Sequence, residues 1–216
     1  MKKITISKEE IATLNSESFN GQIYIIDTLA DAKKALAYLS KQKLIGFDTE
    51  TRPSFKKGAV RQMALMQLST YDECFLFRVN KTGMPDILID FLEDKNITKI
   101  GLSLKDDFGV LRRSSNSACP EGFIDLQAFV KQFNINDISL QKIYAILFDK
   151  RISKSQRLSN WEAPQLTKAQ CDYAALDAWA CLEIYLYLTS GKFNPETSKY
   201  LREIQDPIIN NNNETN

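Results

Sequence analysis

The sequence predicts a mixed α/β fold in which helices cover the faces of a β-sheet. Three strand-like runs follow one another at hairpin spacing, and strands then alternate with helical segments. The 216 residues, 44% of them hydrophobic, suit one compact domain with short appendages. We expect a loosely held N-terminal extension over 1–20, the domain over 21–190, and a polar, partly disordered tail over 191–216.

Six runs have the composition of strands. The first is short and wholly apolar, and turn residues separate the next three from one another. The predicted strands cover 23–26, 43–50, 60–69, 73–79, 97–102 and 122–126.

Six segments have helical spacing or helix start signals. Asp27 or Thr28 can cap the first, and Pro85 suits the first turn of the second. The stretch 149–166, before the last helix, is irregular and basic. Ligands on such folds gather where strand ends meet helix ends, so acidic residues there are the first candidates for a site. The predicted helices cover 29–39, 85–93, 104–113, 126–133, 139–148 and 167–189.

Composition excludes several classes of enzyme. The chain has no histidine, which rules out Ser-His or Cys-His catalysis, a histidine base and a Cys/His zinc site. Four dispersed cysteines without a C-x-x-C pair fit a reducing compartment. No apolar run suits a signal peptide or a membrane span, so we expect a soluble cytoplasmic protein. With a net charge of +1, nucleic acid would need a local basic patch.

Two acids stand at the end of a predicted strand. Asp48 and Glu50 are two residues apart, so their side chains share one face and repel each other. A hard cation such as Mg²⁺ or Mn²⁺ would relieve that repulsion. Two solvated acids at a strand end are the simpler explanation when this pair is taken alone.

The last helix carries an acid on its apolar side. Thr167 and Gln170 form a capping box, which fixes the helical phase and turns Asp177 away from the polar edge. Tyr173 lies one turn earlier on the same face, so its hydroxyl could reach the same site. A metal ion is one partner for such a carboxylate, and a backbone N–H or an arginine is the alternative.

Two adjacent acids follow the strand at 97–102. If Ser103 caps the next helix, Asp106 lies in its first turn, where a carboxylate favours the helix dipole. Asp107 shares a face with Leu104 and Leu111 and should therefore point inward. We favour Asp107 as the functional acid of the two.

Three segments, taken in order, resemble a known family. They are IGFDTETRPSF followed by MALMQLS, then IGLSLKDDFGVLRR, then SNWEAPQLTKAQCDYAALDAWACLEIY. Over 22–190 the chain resembles the DEDD superfamily of 3′–5′ exonucleases, in the tyrosine-containing branch of ribonuclease D and the Werner syndrome helicase exonuclease domain. The sister branch has a histidine where this branch has the tyrosine. The resemblance implies a ribonuclease-H-like fold with a mixed sheet of five or six strands.

The resemblance also implies a site and a reaction. Four carboxylates would hold two Mg²⁺ or Mn²⁺ ions, and a tyrosine would orient or help deprotonate the attacking water. Nucleoside 5′-monophosphates would leave one at a time from the 3′ end. Carried over by position, the catalytic residues are Asp48, Glu50, Asp107, Tyr173 and Asp177, and all except the tyrosine are metal ligands.

Two basic stretches, 52–61 and 149–161, are candidates for binding the backbone phosphates of a single-stranded or 3′-ended nucleic acid. A solvated charged loop is the alternative explanation for each stretch. Phe55, Phe108 and Trp161 could stack on bases, with a core position expected for Trp161. The resemblance places the terminal nucleotide near Thr49 and Glu50. The candidate substrate contacts are Thr49, Arg52, Lys56, Lys57, Arg61, Lys150, Arg151, Lys154 and Arg157.

Other functions stay open at this point. We expect DNA as the substrate, because few residues follow 190 to form the helical RNA-binding modules of ribonuclease D. An RNA-trimming enzyme like ribonuclease D is the alternative. A non-catalytic nucleic-acid-binding module is a second alternative, which the complete set of acids disfavours. An unrelated magnesium phosphohydrolase is disfavoured because no Gly-rich phosphate loop is present.

Overall fold

The computed structural model describes residues 1–52, 62–115 and 118–203. The strands in these ranges are β1 (Lys2–Ile4), β2 (Asn15–Ser16), β3 (Gln22–Ile26), β4 (Leu44–Thr51), β5 (Met63–Ser69), β6 (Glu73–Phe77), β7 (Thr98–Gly101), β8 (Phe123–Asp125), β9 (Lys150–Arg151) and β10 (Leu201–Glu203). The helices are α1 (Lys8–Ala12), α2 (Leu29–Leu39), α3 (Val79–Thr82), α4 (Asp86–Glu93), α5 (Leu104–Ser114), α6 (Leu126–Phe129), α7 (Leu140–Phe148) and α8 (Lys168–Thr189). None of these described helices has the length and apolarity to cross a membrane.

Within the described chain, six strands form the central sheet in the order β3-β6-β5-β4-β7-β8. β5 runs antiparallel to β4 and β6, whereas the other three pairs are parallel. The predicted mixed sheet is therefore confirmed, and each of its strands matches a predicted run to within two residues where the chain is described. Residues 60 and 61 of the predicted run 60–69 lie outside the described residues.

Alternating side chains of β4 divide the core into two layers. Ile45 and Phe47 pack with α2 and α4 in one apolar cluster. On the opposite face, α7 and α8 contribute to a second cluster that includes Ile143, Leu176 and Ile184. The central sheet thus lies between two helical layers, and the acid-bearing end of β4 reaches the edge between them.

α8 approaches the backbone of β4 very closely. A Cβ atom placed on Gly46 would lie 2.0 Å from the carbonyl oxygen of Ala178 and 3.2 Å from the Leu182 Cβ. Only a residue without a side chain fits at that contact. The contact brings Asp177, next to Ala178 in α8, toward Asp48, two residues after Gly46 in β4.

The two ends of the described chain pair with each other. β1 and β10 form an antiparallel pair in which Lys2 lies opposite Glu203, and β2 pairs with β9 in parallel. The expectation that 1–20 is loosely held is wrong. Although this segment is polar in composition, its three isoleucines, Ile4, Ile6 and Ile11, are buried. A capping box between Ser7 and Glu10 also begins α1 there.

The segment before α8 is held against the sheet, although most of it is irregular. The buried guanidinium of Arg78 donates to the carbonyl oxygens of Ala163 and Pro164. Trp161 is fully buried, as expected for a core residue. α8 then begins with the predicted capping box, in which Thr167 Oγ1 accepts from the Gln170 N–H and the Gln170 side chain accepts from the Thr167 N–H.

Candidate active site

Three of the sequence-predicted acids meet where β4 passes under α8. Asp48 and Glu50 come from the end of β4, and Asp177 comes from the middle of α8, where it is buried. One carboxylate oxygen of each residue lies within 4.8 Å of those of the other two. The shared face of the strand and the apolar phase of the helix, both inferred from the sequence, thus converge on one cluster.

Asp107 lies beside this cluster and belongs to α5. Its Oδ1 accepts a hydrogen bond from the hydroxyl of Thr49, which lies between the two acids of β4. Asp106 is exposed and accepts from the Ser103 hydroxyl at 3.2 Å. The two acids therefore differ in orientation as expected, since Asp107 is partly buried against Thr49 and Asp106 is exposed, although Asp107 is not one of the three acids whose oxygens converge.

The start of α5 differs from the expectation. Ser103 occupies the cap position, but its backbone is left-handed, with φ of 64°, and its side chain makes no capping bond to the helix backbone. The carboxylate of Asp125, at the end of β8, accepts instead from the N–H groups of Ser103 at 3.2 Å and Leu104 at 3.0 Å. Sequence reasoning missed Asp125, whose only signal was an acid between a predicted strand and helix.

Burial raises the pKa values of all four acids, and repulsion from the other acids adds to the effect at Asp48 and Glu50. Burial raises the pKa of Asp48 well above its usual range, and the charges of Asp107, Asp177 and Glu50 add to the effect. Burial also raises the pKa of Glu50 to about 8, of Asp177 to about 7 and of Asp107 to about 6. A bound cation would favour the ionised forms, so this donor set suits a divalent metal ion.

Tyr173 interacts with Asp177 from one turn earlier on α8. Burial and the charges of Asp177 and Glu50 raise the pKa of this phenol far above its usual value, so it keeps its proton. A hydrogen bond from Tyr173 to Asp177 lowers the pKa of that carboxyl, opposing the effect of burial. The Tyr173 ring lies 6.0 Å from the buried Trp161 ring, which limits where the hydroxyl can point.

The acid cluster opens into a cavity of about 440 Å³. Asp48, Glu50 and Asp177 line one side of this cavity together with Tyr173. Its other walls include Gln127, Ser153 and two basic side chains, Lys154 and Arg157. Lys154 lowers the pKa of Asp177 and Arg157 lowers that of Glu50, so both bring positive charge close to the acids.

The remaining candidate substrate contacts have mixed outcomes. Lys150 forms an ion pair with Glu17 at 2.7 Å, and Arg52 forms one with Glu162 at 3.2 Å. Arg151 is exposed in β9, next to Lys150. Of the predicted basic residues that the structure describes, only Lys154 and Arg157 line this cavity. Lys56, Lys57 and Arg61 lie outside the described residues, as does Phe55.

Phe108 is partly buried and packs against the core cluster that contains Phe47. Its ring meets the Phe123 ring edge-on, with centroids 5.1 Å apart. Phe123 in turn contacts Phe47 in the same geometry. Trp161 is buried, so of the described aromatic candidates only Phe108 is partly exposed.

A family model described as 3′-5′ exonuclease matches residues 23–191, which is most of the chain. The chain belongs to this 3′–5′ exonuclease family. The expected resemblance to the DEDD superfamily is thereby confirmed, and the tyrosine at 173 is consistent with its tyrosine-containing branch.

Individual relatives agree with this assignment. The exonuclease chain is 34% identical over 153 residues to the bifunctional 3′-5′ exonuclease/ATP-dependent helicase WRN of Mus musculus, covering 68% of this chain and 11% of that protein. Its fold is similar to the Nibbler EXO domain of Aedes aegypti, with a TM-score of 0.73, 22% identity, and coverage of 84% and 96% of the two chains.

A further structure with the same fold is RNase D of Escherichia coli, described as an exoribonuclease involved in structured RNA processing. The TM-score is 0.71 at 23% identity, over 78% of this chain and 44% of that one. The exonuclease chain thus spans about a tenth of mouse WRN and less than half of RNase D. These likenesses confirm the ribonuclease-H-like fold.

Proposed function

We propose that this exonuclease hydrolyses the terminal phosphodiester bond at the 3′ end of DNA with two divalent ions, Mg²⁺ or Mn²⁺. The product would be a nucleoside 5′-monophosphate, released once per cycle. The observation that carries the proposal is the cluster of Asp48, Glu50 and Asp177, with three oxygens within 4.8 Å beside an open cavity.

The four acids divide the task of holding the ions. Asp48, Glu50 and Asp177 offer converging oxygens, and Asp107 completes the set from its position beside them, where Thr49 holds it. Ions bound there would lower the pKa of a water molecule and stabilise the charge that develops on the phosphate and on the leaving 3′ oxygen.

Tyr173 acts as a hydrogen-bond donor and orienting group in this proposal. Its raised pKa keeps the phenol protonated at neutral pH, which is unsuited to a general base. Held between Asp177 and Trp161, the hydroxyl is positioned to orient the attacking water or a phosphate oxygen.

Lys154 and Arg157 bind the substrate backbone in this proposal. Both are exposed side chains on the wall of the cavity that holds the acids. Phosphate contacts fix the register of a strand without reading its bases, so we expect no marked sequence preference from them.

DNA remains the first candidate substrate, as expected from the sequence, and the relative with 34% identity is described as a 3′-5′ exonuclease and ATP-dependent helicase. RNA is the second candidate, favoured by the shared fold with RNase D. We expect degradation from the 3′ end for both substrates.

The test uses 5′-labelled single-stranded and duplex DNA and RNA, each incubated with Mg²⁺, Mn²⁺ or EDTA. We expect a ladder that shortens from the 3′ end, requires the metal, and disappears in Asp48→Ala. Asp107→Ala should abolish activity, while the matched control Asp106→Ala retains it, because Asp106 faces solvent. Cleavage that does not require a metal, or no cleavage of any of these substrates, would contradict the proposal. Comparison of the cleavage rates on DNA and RNA decides between the two substrates.

A further inference from the structure

Gln67 lies directly across the sheet from Asp48. In the antiparallel pairing of β4 and β5, Asp48 is opposite Gln67, just as Glu50 is opposite Leu65. Side chains at opposite positions point to the same face, with Cβ atoms about 4.5–5.5 Å apart. The amide of Gln67 therefore neighbours the Asp48 carboxylate on the face of the sheet that α8 covers.

The side-chain amide of Gln67 is buried with neither of its polar atoms satisfied. Gln67 is 0% exposed, and both its Oε1 and its Nε2 lack a hydrogen-bond partner. The other unsatisfied buried side-chain atoms of the described chain are single ones, Arg78 Nε and Trp161 Nε1. An unpaired buried polar group lowers the stability of the fold, and an apolar side chain of equal size would avoid that loss.

The surroundings of Gln67 indicate which partner it serves. On its other side, the residue opposite Gln67 in β6 is the apolar Leu76. Ser69, the next polar side chain on the same face of β5, already donates to the Thr70 carbonyl oxygen at 2.8 Å. On β4, by contrast, the residue opposite Gln67 is Asp48, whose carboxylate oxygens can accept several hydrogen bonds.

We propose that Gln67 is a positioning residue that orients Asp48 for metal binding, an inference that rests on the proposed function. With an ion bound, the unpaired Gln67 Nε2 would turn to donate to the Asp48 oxygen that does not face the ion, which would fix the direction of the other oxygen. Carboxylates that bind metals are commonly held by such outer hydrogen bonds, whose loss costs about 10–100-fold in metal affinity or activity.

Mn²⁺ binding without nucleic acid tests the inference. Isothermal calorimetry on the whole chain would compare wild type, Gln67→Met, and the control Leu68→Met, which changes the next residue of β5 on the opposite face. We expect Gln67→Met to weaken Mn²⁺ binding about tenfold and to lower kcat with KM nearly unchanged. Its metal-free melting temperature should not fall, because the unpaired amide is gone. Leu68→Met should bind Mn²⁺ like the wild type.

Equal Mn²⁺ affinity in Gln67→Met and wild type overturns the inference while leaving the proposed function intact. A wild-type chain that binds no Mn²⁺ would instead overturn the proposed function. If Gln67→Met does not fold, Gln67→Leu takes its place. Failure of both variants to fold would identify Gln67 as a structural residue and would also overturn the inference.

Discussion

The Tyr173 hydroxyl interacts electrostatically with two carboxyl groups of the site, those of Asp177 and Glu50. Asp177 and Glu50 both raise the pKa of the phenol, and the phenol in return lowers the pKa of Asp177 by donating to it. Losing the hydroxyl should therefore shift the titration of Asp177 upward rather than downward.

Tyr173→Phe should lower kcat by about 10²-fold, within the range for a positioned catalytic group, and leave Mn²⁺ affinity within about twofold. The acidic limb of its pH–rate profile should move to higher pH, because ionised Asp177 loses a donor. Rate profiles measured from pH 5 to 9, beside calorimetry with Mn²⁺, check both effects. Loss of metal binding would show that the phenol supports the ligand set instead of the water.

Asp177→Asn should abolish metal-dependent cleavage and stabilise the metal-free protein at pH 8. The substitution removes one of the crowded negative charges while keeping the size of the side chain. Thermal unfolding at pH 8 in EDTA measures the effect. The control Asp172→Asn lies on the same helix in an exposed pair with Lys168 and should change neither property. A lower melting temperature for Asp177→Asn would contradict the repulsion described.

Individual site residues were predictable wherever a local signal fixed their direction. The capping box gave the phase of Asp177, and the leucines around Asp107 gave its inward orientation. The bond from Thr49 to Asp107, the cap from Asp125 and the unpaired amide of Gln67 were not predictable. Each depends on which segments become neighbours in the sheet, and one sequence does not state the strand order.

At the scale of elements, the contact between α8 and β4 builds the site. Gly46→Ala should destabilise the protein by about 1–3 kcal/mol and reduce activity, because its Cβ would meet the Ala178 carbonyl at 2.0 Å. Urea unfolding and the cleavage assay measure these effects.

Gly109→Ala is the matched control for that prediction. Gly109 lies inside α5, and an added Cβ would come no closer than 3.6 Å to a guanidinium nitrogen of Arg113. The same chemical change should here stabilise the protein, by about 0.5–1 kcal/mol, because alanine favours helix. Similar losses of stability in both variants would show that close packing at Gly46 is not the cause.

The strands of the central sheet and the long helices were predictable, and the short strands outside that sheet were not. The central strands and α8 carry enough apolar periodicity to be recognised alone, whereas β1, β2, β9 and β10 have only two or three residues each. Such strands exist because a partner from a distant part of the chain lies beside them. The predicted helix over 126–133 likewise divides into α6 and a 3₁₀ turn, Val130–Phe133.

For the whole molecule, the acid cluster couples stability to pH. The pKa values of Glu50, Asp177 and Asp107, at about 8, 7 and 6, exceed their values in an unfolded chain. At these three groups the folded protein therefore binds more protons than the unfolded chain between about pH 4 and 8, and their contribution to stability falls as pH rises through that window. Lys99, whose pKa burial lowers to about 8, acts with the opposite sign only above pH 8.

The melting temperature of the metal-free protein should thus decrease from pH 5 to pH 8. Saturating Mn²⁺ should raise it, and by more at pH 8 than at pH 6, because protons compete with the ion for the same carboxylates. Differential scanning calorimetry with EDTA or Mn²⁺ checks both trends. A metal-induced shift that does not change with pH would contradict carboxylate binding.

The pairing of β1 with β10 also has a consequence for the kinetics of folding. Lys2 and Glu203 are about 200 residues apart in sequence yet are adjacent in space. Closing so long a loop carries a large entropic cost and is slow unless the intervening chain is already compact. The central sheet, with its acid cluster, should therefore assemble first, and this ladder should close last. In pulsed hydrogen exchange during refolding, the amides of β10 would become protected after those of β4 and β5.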